Sequence, residues 1–347
     1  MNRIWRADPA AQLPRPHIII FDVDGTLVDV TDSYRQVTIL AAAKYLELMG
    51  LQPPELTGDC YDHFKRMGGF NDDWDLTAGL LELLLATLPP AVDPGPLPDD
   101  QRSLVAVLRE SASSLAGLQL ALPDWDVLQA LVSAGGGGFA GVRALTGGRN
   151  RWLVARGGDA ERHDLVQRIF AEIYLGPDRF AQAYGVPPAY YTDQGLAERE
   201  RLLISPCTLE ALSRSHRLGI ATGRTGFELA LFTEQFDLGD MFETCITMDD
   251  CLAATTAGQG SLLKPHPFAL SLAAEAIDPS GVLSAAYVGD TADDVSAARR
   301  ADGQRPWQAI ALVPDPQHWI HFEALGADII LQHPDQLVSL WPAHIGH

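Results

Sequence analysis

The sequence predicts a doubly wound α/β fold, a mostly parallel sheet whose first strand is followed by a long helical insertion. From about residue 200 onward, short apolar β-branched runs alternate with segments of helical period. That alternation is the signature of βαβ units around a parallel sheet. One further run of the same kind, His17-Ile18-Ile19-Ile20-Phe21, stands by itself near the start. It shows no polar alternation, so it reads as a strand buried on both faces. Residues between these two regions carry helical patterns and loops with no clear buried-strand run.

Taken in order, Met1 to Pro16 holds Arg3, Arg6 and three prolines and lacks an apolar h-region, so a secretory leader is not expected. The first strand follows, bounded by Pro16 and Gly25. From Val30 to Met49, Val37, Leu40, Ala41, Tyr45 and Leu48 recur at helical spacing, with Gly50 as a stop. After Pro53-Pro54 the pattern is mixed as far as Phe70. Asn71-Asp72-Asp73-Trp74-Asp75 reads as the cap and first turn of a helix over Leu76 to Leu85, where acids complement the helix dipole. Pro89 to Asp100 reads as an exposed loop, and helices are expected over Gln101 to Leu120 and Trp125 to Ser133.

Gly135 to Gly138, followed by Gly147 to Arg151, reads as flexible linker. It is not a P-loop, because no Lys-Ser/Thr follows and no strand precedes it. Asp164 to Tyr174 is a further helix, and Gly176 to Tyr191 an irregular stretch with several aromatics. Strands are then expected at 218–222, 245–248, 285–289, 309–313 and 329–331, with helices at 208–216, 226–236, 268–276 and 292–300. The division that follows is an α/β core from residues 1–29 and 196–347, interrupted by a mainly helical domain at 30–195.

Composition narrows the function. The 347 residues are enough for two domains with a sizeable core. A formal charge of −20 argues against a nucleic-acid partner, which calls for a basic stripe. It also means that any phosphate site must supply its own local positive charge. The longest apolar segment, Leu76 to Leu88, is broken by Glu82 and too short for a bilayer, so no membrane partner is expected. Cys60, Cys207, Cys245 and Cys251 form no Cys-x-x-Cys pair and read as reduced thiols of a cytoplasmic protein. Oligomeric state is not legible.

Four strand ends carry the polar residues. In open α/β sheets, ligands sit at the carboxyl ends of the strands. Asp22 and Asp24 emerge there from the first strand, two residues apart and hence directed to one side, with Gly25-Thr26 allowing a sharp departure. Thr222-Gly223-Arg224 presents a hydroxyl, a glycine N–H and a guanidinium. Lys264, followed by Pro265 and Pro267, precedes a helix, and Gly289-Asp290-Thr291-Ala292-Asp293-Asp294 brings further acids to a strand end. Each has a plain structural reading as well. The acids and Thr222 suit turns and helix caps, and Lys264 suits a solvated surface.

Together, in this order, these four segments resemble the haloacid dehalogenase superfamily of hydrolases, most of which are phosphatases. The resemblance covers the residues up to about 30 and from about 200 onward, and the insertion is similar to the helical cap of its phosphoglycolate phosphatase-like members. It implies a Mg²⁺-dependent phosphomonoesterase acting on a small phosphorylated metabolite. Mutase chemistry of the β-phosphoglucomutase type, or a binding protein that has kept the fold, are the alternatives.

The residues suit that chemistry on their own terms. A carboxylate nucleophile splits phosphate-ester hydrolysis through an aspartyl-phosphate, a role that falls to Asp22. Asp24 would protonate the leaving oxygen and then activate water. Thr222 and the Gly223 N–H would hold phosphoryl oxygens, and Lys264 would neutralise developing charge. Asp22, the Asp24 carbonyl and Asp290 are the metal ligands that the resemblance implies, with Asp294 orienting the metal's surroundings. Gly25 and Thr26, of the same motif, are expected to contact the substrate, as are Gly223 and Arg224. For Arg224 a structural role is the alternative. In the insertion, Arg66 and Asn71, beside Gly68-Gly69, form either an anion clamp or a solvated turn.

Overall fold

The computed structural model describes residues 3–8, 14–67, 69–70, 72–89, 94–98, 100–147, 152–153, 164–255, 260–301, 303 and 305–341. It divides into two compact units, Met1–Val30 with Arg201–His347, and Thr31–Glu200.

The chain opens with β1 (Ile4–Arg6), β2 (Ile18–Phe21) and the short β3 (Val28–Asp29). The helical unit follows: α1 (Tyr34–Leu48), α2 (Gly58–Met67), α3 (Asp73–Leu85), α4 (Gln101–Ala112), α5 (Trp125–Ala134), α6 (Gly138–Thr146) and α7 (Leu165–Tyr184). The chain then returns through β4 (Arg201–Leu202), α8 (Pro206–Ser213), β5 (Arg217–Ala221), α9 (Gly226–Gln235), β6 (Thr244–Ile246) and α10 (Met248–Ala254). Next come α11 (Phe268–Ile277), β7 (Ala285–Gly289), α12 (Ala292–Ala301), β8 (Trp307–Leu312), α13 (Trp319–Ala324) and β9 (Ile329–Leu331). Among the described residues no helix is long and apolar enough to cross a membrane.

The large sheet has the order β1-β9-β8-β7-β2-β5-β6, parallel except for the edge pair β1–β9, and β3 pairs with β4 in a separate ribbon. This is the doubly wound fold with a helical insertion that the sequence predicts. The four residues of β2 are fully buried, and their side chains alternate between two cores. Ile18 and Ile20 pack with Leu270, Ala273 and Val295 of α11 and α12. Ile19 and Phe21 pack with Leu209, Leu229 and Phe232 of α8 and α9. A strand covered on both faces needs apolar side chains at every position, each contributing about 1.5–3 kcal/mol by its burial.

Four features depart from the sequence expectations. β1 has a weak pattern of its own and exists through its pairing with β9, Ile4 opposite Leu331. The mixed stretch before Phe70 contains α2, which buries Cys60, Tyr61, Phe64 and Met67 on one face. Gly135–Gly137 is an ordered turn rather than slack linker: the Gly135 and Gly137 N–H groups close the end of α5 on the Leu131 and Val132 carbonyls, and α6 starts at once. Lastly, α7 runs past Tyr174 through a break at Gly176, whose φ of +72° and contact with the Gly195 backbone exclude a side chain.

The stretch after α7, irregular by sequence, is held by one buried carboxylate. Glu172 is fully buried and accepts the Ala189, Tyr190 and Tyr191 N–H groups at 2.9, 2.6 and 3.0 Å. Arg168 pairs with the same carboxylate, donates to the Pro187 carbonyl at 2.8 Å and lies over the Phe180 ring. Removing the acid strands a buried guanidinium and three donors. Glu172→Ala should therefore cost about 3–5 kcal/mol in urea denaturation. It should also speed amide exchange at residues 189–191; unchanged exchange there would contradict this account.

Candidate active site

Strand register sets the site. Phe21 lies opposite Ile220 of β5 and Val288 of β7, so Asp22, Ala221 and Gly289 are level at one edge of the sheet. Just past them come Thr222, Asp290 and the turn holding Asp24. That turn closes on the Val23 carbonyl, which accepts the Thr26, Leu27 and Val28 N–H groups. Gly25 has a φ of +67°, and a Cβ there would overlap the Asp290 carboxylate. The Asp-Gly step thus lets a second acid close in on the first.

Lys264 lies between Asp22 and Asp294. Its Nζ is 3.0 Å from Asp22 Oδ1 and 2.8 Å from Asp294 Oδ1. Asp294 serves two purposes, because its Oδ2 also accepts the Thr291 N–H and hydroxyl, while Thr291 Oγ1 accepts the Asp294 N–H. That reciprocal box caps α12. Asp294 thus grips Lys264 with one oxygen while the other caps α12. Tyr287, one residue before the Val288-Gly289 strand end, brings its hydroxyl to 3.3 Å from Lys264 Nζ and 2.9 Å from the Ala221 carbonyl.

The electrostatics follow from burial. Desolvation pushes the Asp22 carboxyl up to about 7, with Asp294 and Asp24 adding to the rise and Lys264 opposing it. Burial works against the Lys264 charge, but Asp22 and Asp294 outweigh it and hold the ammonium well above its ordinary value. Asp294 stays below the usual carboxylate range despite burial, because Lys264 and Thr291 stabilise its charge.

Asp22, Asp290 and Asp294 bring carboxylate oxygens within 4.8 Å of one another. Three acids against one ammonium leave a local excess of negative charge, and an all-oxygen donor set suits a hard divalent cation such as Mg²⁺.

The remaining expected residues fall in different places. Thr222 is buried, and its Oγ1 accepts the Arg224 N–H at 3.2 Å. Gly223 is unobstructed, with nothing within 4 Å of the position a Cβ would take. Arg224 is buried and forks onto Asp24, Nε and Nη2 lying 2.9 and 2.6 Å from Oδ1, with its guanidinium over the Phe232 ring. It therefore holds an acid of the site rather than standing on the surface. Thr26 is fully buried, its hydroxyl without a hydrogen-bond partner among the described residues, so it offers no open face to a ligand. In the helical unit, exposed Arg66 is tied to its own helix, donating to the Asp62 carbonyl and lying 3.0 Å from His63 Nδ1. Asn71 lies outside the described residues.

Sequence reasoning missed Tyr287 and the pairing of Arg224 with Asp24. A tyrosine in an otherwise apolar buried strand is the signal for the first, since its hydroxyl needs a partner there. No local signal marks the second, which joins residues 200 positions apart.

A profile of the haloacid dehalogenase-like hydrolases matches residues 16–302. The chain belongs to that family. This hydrolase is also 34% identical, over 285 residues, to the imidazoleglycerol-phosphate dehydratase of Phytophthora nicotianae, covering 82% of this chain and 41% of that enzyme. The chain thus spans about two fifths of that relative's length. Among solved structures, the phosphatase Tt82 from Thermococcus thioreducens aligns with a TM-score of 0.53 at 22% identity, covering 93% of this chain and 98% of its own. An X-ray structure of a structural-genomics target aligns with a TM-score of 0.58 at 18% identity, covering 94% and 98%. Both show the same fold.

Three measurements test the site. Since the Asp22 carboxyl titrates above its unfolded value, the metal-free hydrolase should lose stability, by a few kcal/mol at most, as pH rises toward and through about 7. A cation must displace that proton, so the rise in Tm on adding Mg²⁺ should be larger at pH 8 than at pH 6, with apparent affinity falling about tenfold per unit below that window. A Mg²⁺ shift independent of pH would contradict the assignment. Gly25→Ala should abolish the Mg²⁺ shift while leaving most of the fold, read by circular dichroism.

Proposed function

We propose that this hydrolase is a Mg²⁺-dependent phosphomonoesterase that acts on a small phosphorylated metabolite through an aspartyl-phosphate at Asp22. The observation that supports it best is the convergence of Asp22, Lys264, Asp290 and Asp294, residues far apart in the chain, at one sheet edge. A site this acidic repels a phosphate dianion unless positive charge is built into it. Lys264 supplies part of that charge.

In this reading a carboxylate oxygen of Asp22 attacks phosphorus in line with the leaving oxygen. Asp24 gives its proton to that oxygen, and the alcohol departs. Asp24, now a carboxylate, takes a proton from the water that cleaves the acyl phosphate, which restores Asp22 and releases inorganic phosphate. Arg224 holds the Asp24 carboxylate in one orientation between these two steps. The Thr222 hydroxyl and the Gly223 N–H are the donors for the phosphoryl oxygens, and Lys264 balances the charge gathered between nucleophile and phosphoryl group. Asp22, Asp290 and the Asp24 carbonyl would hold Mg²⁺, which when bound lowers the charge on the phosphoryl oxygens and keeps Asp22 ionised. Residues 31–200 are read as the helical cap domain, with the substrate itself chosen by a screen.

Phosphate release from a panel of sugar phosphates, glycolate-type phosphates, imidazoleglycerol phosphate and an aryl phosphate tests this directly. Wild type with Mg²⁺ should turn over the aryl phosphate and at least one metabolite, and chelation should stop it. Asp22→Asn should fall to background. Asp24→Asn should lose about 10²–10⁴-fold on alkyl phosphates and less on the aryl phosphate, whose leaving group needs less protonation. In that variant a phosphoryl mass increment should appear on the peptide that contains Asp22. No release from any substrate, or full activity in Asp22→Asn, would overturn the reading.

A further inference from the structure

We propose that Tyr287 is a positioning residue that acts on the reacting groups through Lys264. Its side chain is 1% exposed and lies on the face of the sheet that also carries Ile18 and Ile20. It belongs to β7, yet its hydroxyl reaches the carbonyl of Ala221, the last residue of β5, at 2.9 Å. β2 lies between those two strands. The ring therefore crosses the end of the central strand, bridging two strand spacings of about 4.8 Å each, on the side toward which Asp22 continues the alternation of Ile18 and Ile20.

A phenol has a single proton to give. The Ala221 carbonyl at 2.9 Å takes it, and the 3.3 Å approach to Asp294 Oδ1 is then not a bond donated by Tyr287. The hydroxyl is left as an acceptor toward Lys264 Nζ, 3.3 Å away. An ammonium has three protons, and Asp22, Asp294 and Tyr287 give it three acceptors, at 3.0, 2.8 and 3.3 Å. The Tyr287 contact adds a neutral acceptor to the two carboxylates and ties Lys264 to the strand end that leads into Thr222 and Gly223.

The competing account is that the hydroxyl only satisfies a buried carbonyl. Tyr287→Phe separates the two, because the ring that packs in the core and lies beside Nζ is kept. The kinetic arm rests on the phosphatase reading. Tyr287→Phe should lower Tm by a few degrees whichever account holds, through the lost bond to the Ala221 carbonyl. Only if Tyr287 positions Lys264 should it also lower kcat about tenfold, with KM within about twofold. An unchanged kcat in Tyr287→Phe overturns the proposal.

Reductive methylation followed by mass spectrometry gives an arm that needs no turnover. Lys264 should label several-fold faster in Tyr287→Phe than in wild type, and equal labelling overturns the proposal. If wild type hydrolyses nothing, the phosphatase reading fails on its own, and the labelling still decides whether Tyr287 holds Lys264.

Discussion

Burial of several carboxylates at the end of a sheet is tolerable only with positive charge among them, and in this protein Lys264 is that charge. Isolated buried carboxylates cost far more than a domain's whole stability margin, and they escape the cost by pairing or by taking up protons. Both responses are present. Asp294 pairs with Lys264 and stays ionised, whereas Asp22, more strongly desolvated than stabilised, rises to about 7. The remaining imbalance is what a divalent cation would relieve.

Much of the surrounding structure serves that arrangement. Gly25 leaves room for the Asp290 carboxylate, Thr291 fixes the second oxygen of Asp294 while capping α12, and the Tyr287 hydroxyl steadies the ammonium. Asp24 is treated differently, being held by a buried Arg224 that is itself packed over Phe232. Two acids two residues apart thus meet cations of different kinds. Asp22 meets a compact ammonium among other acids, and Asp24 a planar guanidinium that fixes orientation. The helical unit solves its own polar problem by the same rule, with Glu172 and Arg168 neutralising each other while gathering the backbone of residues 187–191.

How far the fold and the site could be read from the residues depends on how local each signal is. β2, β7 and β9 were legible because strands buried on both faces are apolar at every position, and α9 and α12 because their periods and caps lie within about ten residues. β1 was not, since a three-residue edge strand takes its identity from β9, more than 300 positions away. α2 was hidden by a polar majority that carries only a narrow apolar face, and Gly135–Gly137 by a composition that suits slack chain and tight turn alike.

By itself the sequence determined the alternation of strands and helices, the helical insertion after the strand that leads into Asp22, and the motif residues at the ends of β2, β5 and β7. These are properties of short segments, set by pattern and by backbone chemistry. Lys264, expected at a strand end, lies instead in the turn before α11, beyond α10. Only the tertiary structure decided that Arg224 belongs to Asp24, that Asp294 grips Lys264 while capping its helix, that Thr26 is enclosed, and that a tyrosine on β7 reaches past β2 to the end of β5. Such pairings depend on strand order and on which face each side chain takes. Strand order in a parallel sheet comes from crossovers, which no local run of residues encodes.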